Sequence, residues 1–344
     1  MGEEKVLIEA KNLKKYFKID SKKTLHAVDD ISFQIKEGET LGLVGESGCG
    51  KSTVGNVVMR LLPATDGELL YRGKNIFKLD KNESFEIRKK MQIIFQDPYS
   101  SLNPRKTVYE ILAEAFKIHH IGSENEIKDK IKHVCDMVEL SPSLLNLYPH
   151  ELDGGMRQVV GIARALSLGP DFIVCDEPVS ALDVSVQARI INLLMDIQKK
   201  YNISYLFISH DLSVVRHISN RIAVMYLGRF VEVADSEEIF ADARHPYAIA
   251  LLSAVPVVSI DKKVSRIILE GDVPSPVNPK PGCRFASRCW MRHERCMQEE
   301  PPLTEVSPGH FVRCFYANES RENSLHAKTR SLDDKKKEAE SELQ

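Results

Sequence analysis

The run GESGCGKST at 45–53 has the residue types and the spacing of a phosphate cradle, G-x-x-x-x-G-K-[ST]. Gly45, Gly48 and Gly50 free the backbone so that N–H groups can turn toward an anion, and Glu46, Ser47, Cys49 and Thr53 fill out the loop. Lys51 has the reach to contact β and γ phosphates, and the Ser52 hydroxyl is a candidate Mg²⁺ ligand, both at a helix start that favours anions. An apolar run precedes the loop and a helical run follows it, which is the context this chemistry needs. The bland alternative is a chance glycine-rich turn.

A second apolar run, FIVCDEP, ends in two adjacent carboxylates. At the C-terminal edge of a sheet they would face a nucleotide bound there. Asp176 suits the Mg²⁺ shell. Glu177 then stands to orient and deprotonate a water for in-line attack on a γ-phosphate. A third run, YLFIS, ends in His210, a group able to contact the γ-phosphate or hold that water. A solvated acidic pair and a structural histidine are the plain alternatives, and a lone histidine carries little weight. Its spacing from the carboxylates adds to it.

Alternating strands and helices have to hold these groups. TLGLV at 40–44, FIVC at 172–175 and SYLFIS at 204–209 read as strands, with helices over 51–62 and 185–201, a parallel-sheet α/β pattern. Before it, VLIEAKNL, LHAVDDISFQI and GELLYRG read as short strands of an antiparallel lobe. Between about 99 and 166 the apolar positions fall at spacings of three and four, as in VYEILAEAFKIHH and IKDKIKHVCDMVEL, which predicts an inserted helical subdomain. Near 255 the composition turns to proline, cysteine and basic residues, so the expected division is a main domain over 1–255, an extension over 256–319 and a polar tail over 320–344. The tail predicts a loose segment or a frayed helix.

The 344 residues are ample for a large core, and 28% charged residues with a formal net charge of −2 leave no global basic field to draw the chain onto nucleic acid. No apolar run is long enough to span a membrane and MGEEKVLIEAKNL lacks a signal-peptide core, so a cytosolic chain is expected. Seven cysteines, an odd number, argue against a disulfide framework.

With the 45–53 loop, Gln96 in IIFQDP, LDGGM at 152–156, CDEP, SALD at 180–183 and SHD in this order, the chain resembles the ABC ATPase family over roughly residues 5–255. The resemblance implies the P-loop NTPase fold of ABC ATPases: an α/β parallel-sheet core, an antiparallel β lobe and an inserted helical subdomain. It implies ATP and Mg²⁺ as cofactors. Tyr16 in LKKYF resembles the aromatic that stacks on adenine, with Phe17 a competing choice. Gln96 resembles the loop glutamine that touches Mg²⁺ and couples to membrane subunits, and Ser180 to Asp183 the loop at the dimer interface. ATP in such proteins lies between two subunits, held by one chain's phosphate loop and the other's signature motif.

That signature usually reads L-S-G-G-Q, whereas here it reads Leu152, Asp153, Gly154, Gly155, Met156. As a helix N-cap, Asp153 is as good as serine. As a neighbour of phosphate it is poor: at ~4 Å from a γ-phosphate oxygen it costs on the order of 4 kcal/mol per charge pair at an effective dielectric of about 20. It would also occupy amides that the phosphate needs. The expectation is an asymmetric heterodimer in which this chain's own catalytic groups are complete and only the element it donates is altered.

Cys283, Cys289, Cys296 and Cys314 are spaced C-x5-C-x6-C-x17-C, four thiols in a compact segment that suggest a soft metal centre. Zinc sites more often use C-x2-4-C pairs, which are absent here. This segment, with HPYAIALLSAVP and PSPVNP before it, resembles the small Cys-rich C-terminal extension of oligopeptide and dipeptide importer ATPases, F-type subunit. The resemblance implies a [4Fe–4S] cluster on those four residues, with Zn²⁺ or metal-free thiols as alternatives. It implies a second ATPase subunit, two transmembrane permease subunits, an extracytoplasmic substrate-binding protein reached indirectly, and a place on the cytoplasmic face of the membrane. Nickel and oligosaccharide importers, and a soluble regulatory ABC ATPase, are the competing readings.

Overall fold

The computed structural model describes residues 5–255 and 267–319; the tail expected over 320–344 lies outside the described residues. The chain opens with an antiparallel lobe. Strands β1 (Val6–Lys18), β2 (Thr24–Lys36), β4 (Asp66–Tyr71) and β5 (Lys74–Asn75) form a sheet in the order β2-β1-β4-β5. Strand β3 (Thr40–Val44) leaves this lobe for the main sheet, and helix α1 (Lys51–Val58) follows the glycine-rich loop.

Helix α2 (Lys81–Lys90) runs directly into β6 (Met91–Ile94). A helical section comes next: α3 (Pro98–Ser101), α4 (Val108–Ile118), α5 (Glu124–Met137) and α6 (Gly154–Leu166). Its starts are written locally. Thr107 and Glu110 form a reciprocal capping box at α4, and Asp80 and Glu83 form one at α2, each satisfying two helix-end donors. The chain then alternates through β7 (Phe172–Asp176), α7 (Val184–Tyr201), β8 (Ser204–Ile208) and α8 (Leu212–Ile218).

After β9 (Arg221–Tyr226) and β10 (Arg229–Asp235) come α9 (Ser236–Asp242) and α10 (Pro246–Ser253). The C-terminal segment adds α11 (Arg295–Gln298) and the hairpin β11 (Thr304–Ser307) and β12 (His310–Val312). The main sheet has eight strands in the order β11-β12-β10-β9-β3-β8-β7-β6. Strands β9, β3, β8, β7 and β6 are parallel neighbours, and the pairings from β9 out to β11 are antiparallel.

Both faces of the central strands are buried, which is why their sequences are apolar without alternation. Phe172, Val174, Leu206 and Ile208 pack with the antiparallel lobe and α1. Their neighbours Ile173, Cys175, Tyr205 and Phe207 pack on the other face with α7, α8 and the helical section. Each such side chain contributes about 1.5–3 kcal/mol by leaving water. The C-terminal segment is not a detached appendix: β12 pairs with β10, and His310 on it is fully buried with Nε2 2.7 Å from Glu232.

Candidate active site

Parallel pairing brings four sequence-distant groups to one edge. The glycine loop leaves the C-terminal end of β3, Asp176 and Glu177 end β7, His210 follows β8, and Gln96 follows β6. The register pairs Ile94 with Cys175 and Asp176 with Ile208, so the residues just beyond these strand ends are neighbours. Gln96 Nε2 donates to Glu177 Oε2 at 3.0 Å, and His210 Nδ1 lies 3.2 Å from the same oxygen. Ser52 Oγ donates to Asp176 Oδ1 at 2.9 Å. Burial, with the adjacent Glu177 charge, raises the Asp176 carboxyl against the Ser52 hydrogen bond and the Lys51 charge.

Two of the loop's glycines are there for want of space. A Cβ at Gly45 would sit 2.2 Å from the Met225 carbonyl oxygen, and one at Gly50, with φ +108°, 2.1 Å from that of Ala27. Lys51 Nζ is buried beneath the loop and donates to the carbonyls of Gly45 and Glu46 at 2.8 and 3.1 Å. The first amides of α1 have no partner within the helix and point out of its N-terminus. Loop, Gln96, Glu177 and His210 line one cleft of about 480 Å³, the size of a nucleotide-scale ligand site.

One expected group falls elsewhere. Tyr16 does not line the cleft, whereas Phe17 does, together with Leu25, His26 and Pro276. Adjacent strand residues point to opposite faces, and the Tyr16 hydroxyl is tied to Asp29 Oδ1 at 2.5 Å while its ring stacks on His26 at 4.1 Å. The signature residues Asp153, Gly154, Gly155 and Met156, and Asp183 ahead of α7, which the resemblance assigns to the partner's ATP and the subunit interface, do not line this chain's own cleft. Asp153 is the N-cap of α6: its Oδ1 accepts the Met156 N–H at 2.7 Å, taking up a donor at the helix mouth.

The four late cysteines surround a different, small cavity of about 20 Å³, room for about one water. All four are free thiols. Burial, then the neighbouring thiols, pushes Cys283 and Cys289 up to about 11 and Cys314 up to about 12. The expected metal centre is not preformed for one ion, because among the described residues no group of three or more His, Cys, Asp or Glu could hold a metal ion. A zinc ion would need every sulfur within about 2.3 Å of it. Leu25, His26 and Pro276 also line the cleft, although neither their types nor their spacing marks them as site residues.

A phosphate loop at the end of a parallel strand, a histidine after the neighbouring strand and a carboxylate pair at the end of the strand beyond that define a P-loop ATPase. The family model described as ABC transporter matches residues 28–180, and that described as oligopeptide/dipeptide transporter, C-terminal region, matches 231–296. The chain is 50% identical over 316 residues to a putative oligopeptide transport ATP-binding protein, YkfD, of Bacillus subtilis, covering 91% of this chain and 96% of that one. It is 47% identical over 322 residues to the oligopeptide transport ATP-binding protein OppF of Haemophilus influenzae, covering 90% and 97%. Among solved structures, the ADP- and phosphate-bound dimer of the ATP-binding cassette MJ0796 matches with a TM-score of 0.61 at 30% identity, over 67% of this chain and 99% of that one. The cbiO1 structure from Clostridium perfringens matches with a TM-score of 0.62 at 26% identity, over 70% and 92%. The chain belongs to the ABC transporter ATP-binding family, and it is an ATPase. No helix among the described residues is long and apolar enough to cross a membrane.

Proposed function

We propose that the chain is the ATP-hydrolysing, F-type subunit of an importer for di- or oligopeptides, held peripherally at the cytoplasmic face of the membrane. It would work with a second ATPase subunit and two transmembrane permease subunits, while an extracytoplasmic binding protein delivers the peptide. The match of the C-terminal region over 231–296 and relatives named for oligopeptide transport support the cargo class. The observation that carries the catalytic reading is the convergence of Gln96 and His210 on one oxygen of Glu177 beside the phosphate loop.

In this reading Lys51 and the amides of 47–53 hold the β and γ phosphates, and Phe17, in place of Tyr16, faces the base. Glu177 takes the proton of the attacking water, and Gln96 and His210 fix its carboxylate from two sides. Ser52 and Asp176, with Gln96 at the rim, would hold Mg²⁺, which neutralises charge on the phosphates. Asp183 would lie at the subunit interface. Asp153 weakens the second site, to which this chain donates its signature, because its carboxylate repels phosphate and occupies the Met156 amide. The first site, completed by a partner's intact signature, stays competent.

Cys283, Cys289, Cys296 and Cys314 line one cavity, and four thiolates would be the ligands of a [4Fe–4S] cluster, with Zn²⁺ the alternative. Iron and acid-labile sulfide measured on anaerobically purified protein should both be present and fall together in Cys289→Ser; stoichiometric zinc without sulfide would reject the cluster.

The test of function is ATP hydrolysis by the chain alone and with membranes carrying the partner ATPase and permeases, with Glu177→Gln as control. Glu177-dependent turnover only in the complex supports the heterodimeric importer. Brisk Glu177-dependent hydrolysis by the chain alone would remove the asymmetric reading.

A further inference from the structure

The C-terminal segment reaches the nucleotide cleft at Pro276 and the phosphate loop at Arg288. Residues 276–278 run along the edge of β2. The His26 N–H donates to the Pro276 carbonyl at 3.1 Å and the Asn278 N–H to that of Thr24 at 2.9 Å. Asn278 secures the turn from its side chain, accepting from the Thr24 N–H at 2.9 Å and donating to the Lys22 carbonyl at 2.7 Å. These bonds hold the 276–278 stretch beside Leu25, whose strand partner is Phe17, and Phe17, Leu25 and Pro276 all line the cleft. Three apolar side chains there make a slot suited to a flat, apolar-faced base.

The second contact is on the phosphate loop. Arg288 places Nη1 2.8 Å and Nη2 3.1 Å from the two carboxylate oxygens of Glu46, the second residue of that loop. Its side chain is only 8% exposed, and the fork geometry of two parallel bonds fixes direction as well as charge. The Glu46 N–H in turn donates to the Tyr247 hydroxyl at 2.8 Å, so the loop's entry is held from both its side chain and its backbone. A third contact passes beneath the base side: Arg284 bonds Asp29, whose other oxygen accepts from Tyr16 and which pairs with His26, a cleft residue.

We propose that the C-terminal segment is a working wall of the ATP site, with Pro276 a determinant of base binding and Arg288 a positioning residue that sets the phosphate loop. This deepens the ATPase reading and rests on it. A pair of probes separates the two roles: MgATP, and Mg²⁺ with inorganic tripolyphosphate, which has the phosphates without a base. Isothermal titration on the purified chain carrying Glu177→Gln, which binds MgATP without hydrolysing it, reads both without turnover, so failure of the importer reading leaves the result interpretable.

Pro276→Gly should weaken MgATP about fivefold while leaving tripolyphosphate unchanged. Arg288→Ala should weaken both probes by about tenfold, and Arg288→Lys, a point charge without the fork, should recover only part of that. In the assembled transporter the Pro276→Gly loss should appear in KM with kcat intact, as removal of uniform binding does. Thermal unfolding of each variant identifies any that misfold, and Arg288→Lys keeps the test open if Arg288→Ala does. Unchanged MgATP affinity in Pro276→Gly, or equal loss of both probes, would overturn the role of Pro276. Wild-type tripolyphosphate affinity in folded Arg288→Ala or complete recovery by lysine would overturn that of Arg288.

Discussion

Glu177 sits with φ +45° in the left-handed region, uncommon for a residue with a side chain. Its N–H donates to the Ile208 carbonyl at 2.9 Å, so the turn off β7 is pinned to β8 and the carboxylate is aimed between Gln96 and His210. Glu177→Gln keeps the size and the hydrogen-bonding shape while removing the base. Hydrolysis in the complex should fall by about 10²–10⁴-fold with MgATP affinity retained, as read by single-turnover assay beside equilibrium binding. Asp153→Ser exchanges one good N-cap for another, so the unfolding midpoint of the chain should barely move, by an equivalent of about 0.5 kcal/mol. Turnover in the complex should rise; unchanged or lower turnover counts against a weakened second site.

At the scale of elements, α6 depends on what α7 allows. A Cβ on Gly155 would lie 2.8 Å from Val186 Cγ1 and 3.4 Å from Asp153 Oδ1. Gly155→Ala gains up to about 1 kcal/mol in helix propensity and loses about 1–3 kcal/mol to crowding. A net destabilisation of about 1 kcal/mol in denaturant unfolding is expected, and a stabilised variant would mean that Val186 gives way freely. The helices and central strands were legible in advance because local signals and burial agree. TLGLV, FIVC and SYLFI are buried throughout and mainly apolar because both of their faces are covered. The helix expected over 51–62 ends at Val58, with Arg60 at φ +56°; the first proline is Pro63, so no local breaker announces the earlier stop. The β9–β10 hairpin turns on Leu227 and Gly228, both at positive φ, and leucine is not a residue that announces such a turn.

At the scale of the molecule, Asp29 joins the antiparallel lobe to the C-terminal segment. Burial works to raise its carboxyl, but the Tyr16 hydroxyl, then the Arg284 and Arg229 guanidiniums, outweigh it and hold the group well below the usual carboxylate range. Because the folded value is depressed, its contribution to stability is complete above the unfolded value of about 3.9 and is lost as pH falls below that. Asp29→Asn should cost about 3 kcal/mol near neutral pH, as breaking a buried pair does. The gap from the parent protein should narrow as pH drops below about 4 in denaturant titrations. A gap independent of pH would mean that the charge is not what holds the segment down.

The amino-acid sequence by itself determined the chemistry and its local frames. Glycines at 45, 48 and 50, Lys51 and Ser52, the carboxylates after FIVC and the histidine after YLFIS are short-range patterns, and short-range patterns survive reading along a chain. Only the tertiary structure decided which of two adjacent aromatics meets the cleft, since one strand position turns Tyr16 to Asp29 and Phe17 to the cleft. It also decided that Pro276 and Arg288 reach the ATP site from a segment that composition set apart. Those contacts depend on long-range strand pairing and buried ion pairs, whose partners lie more than two hundred residues apart, and no local spacing encodes them.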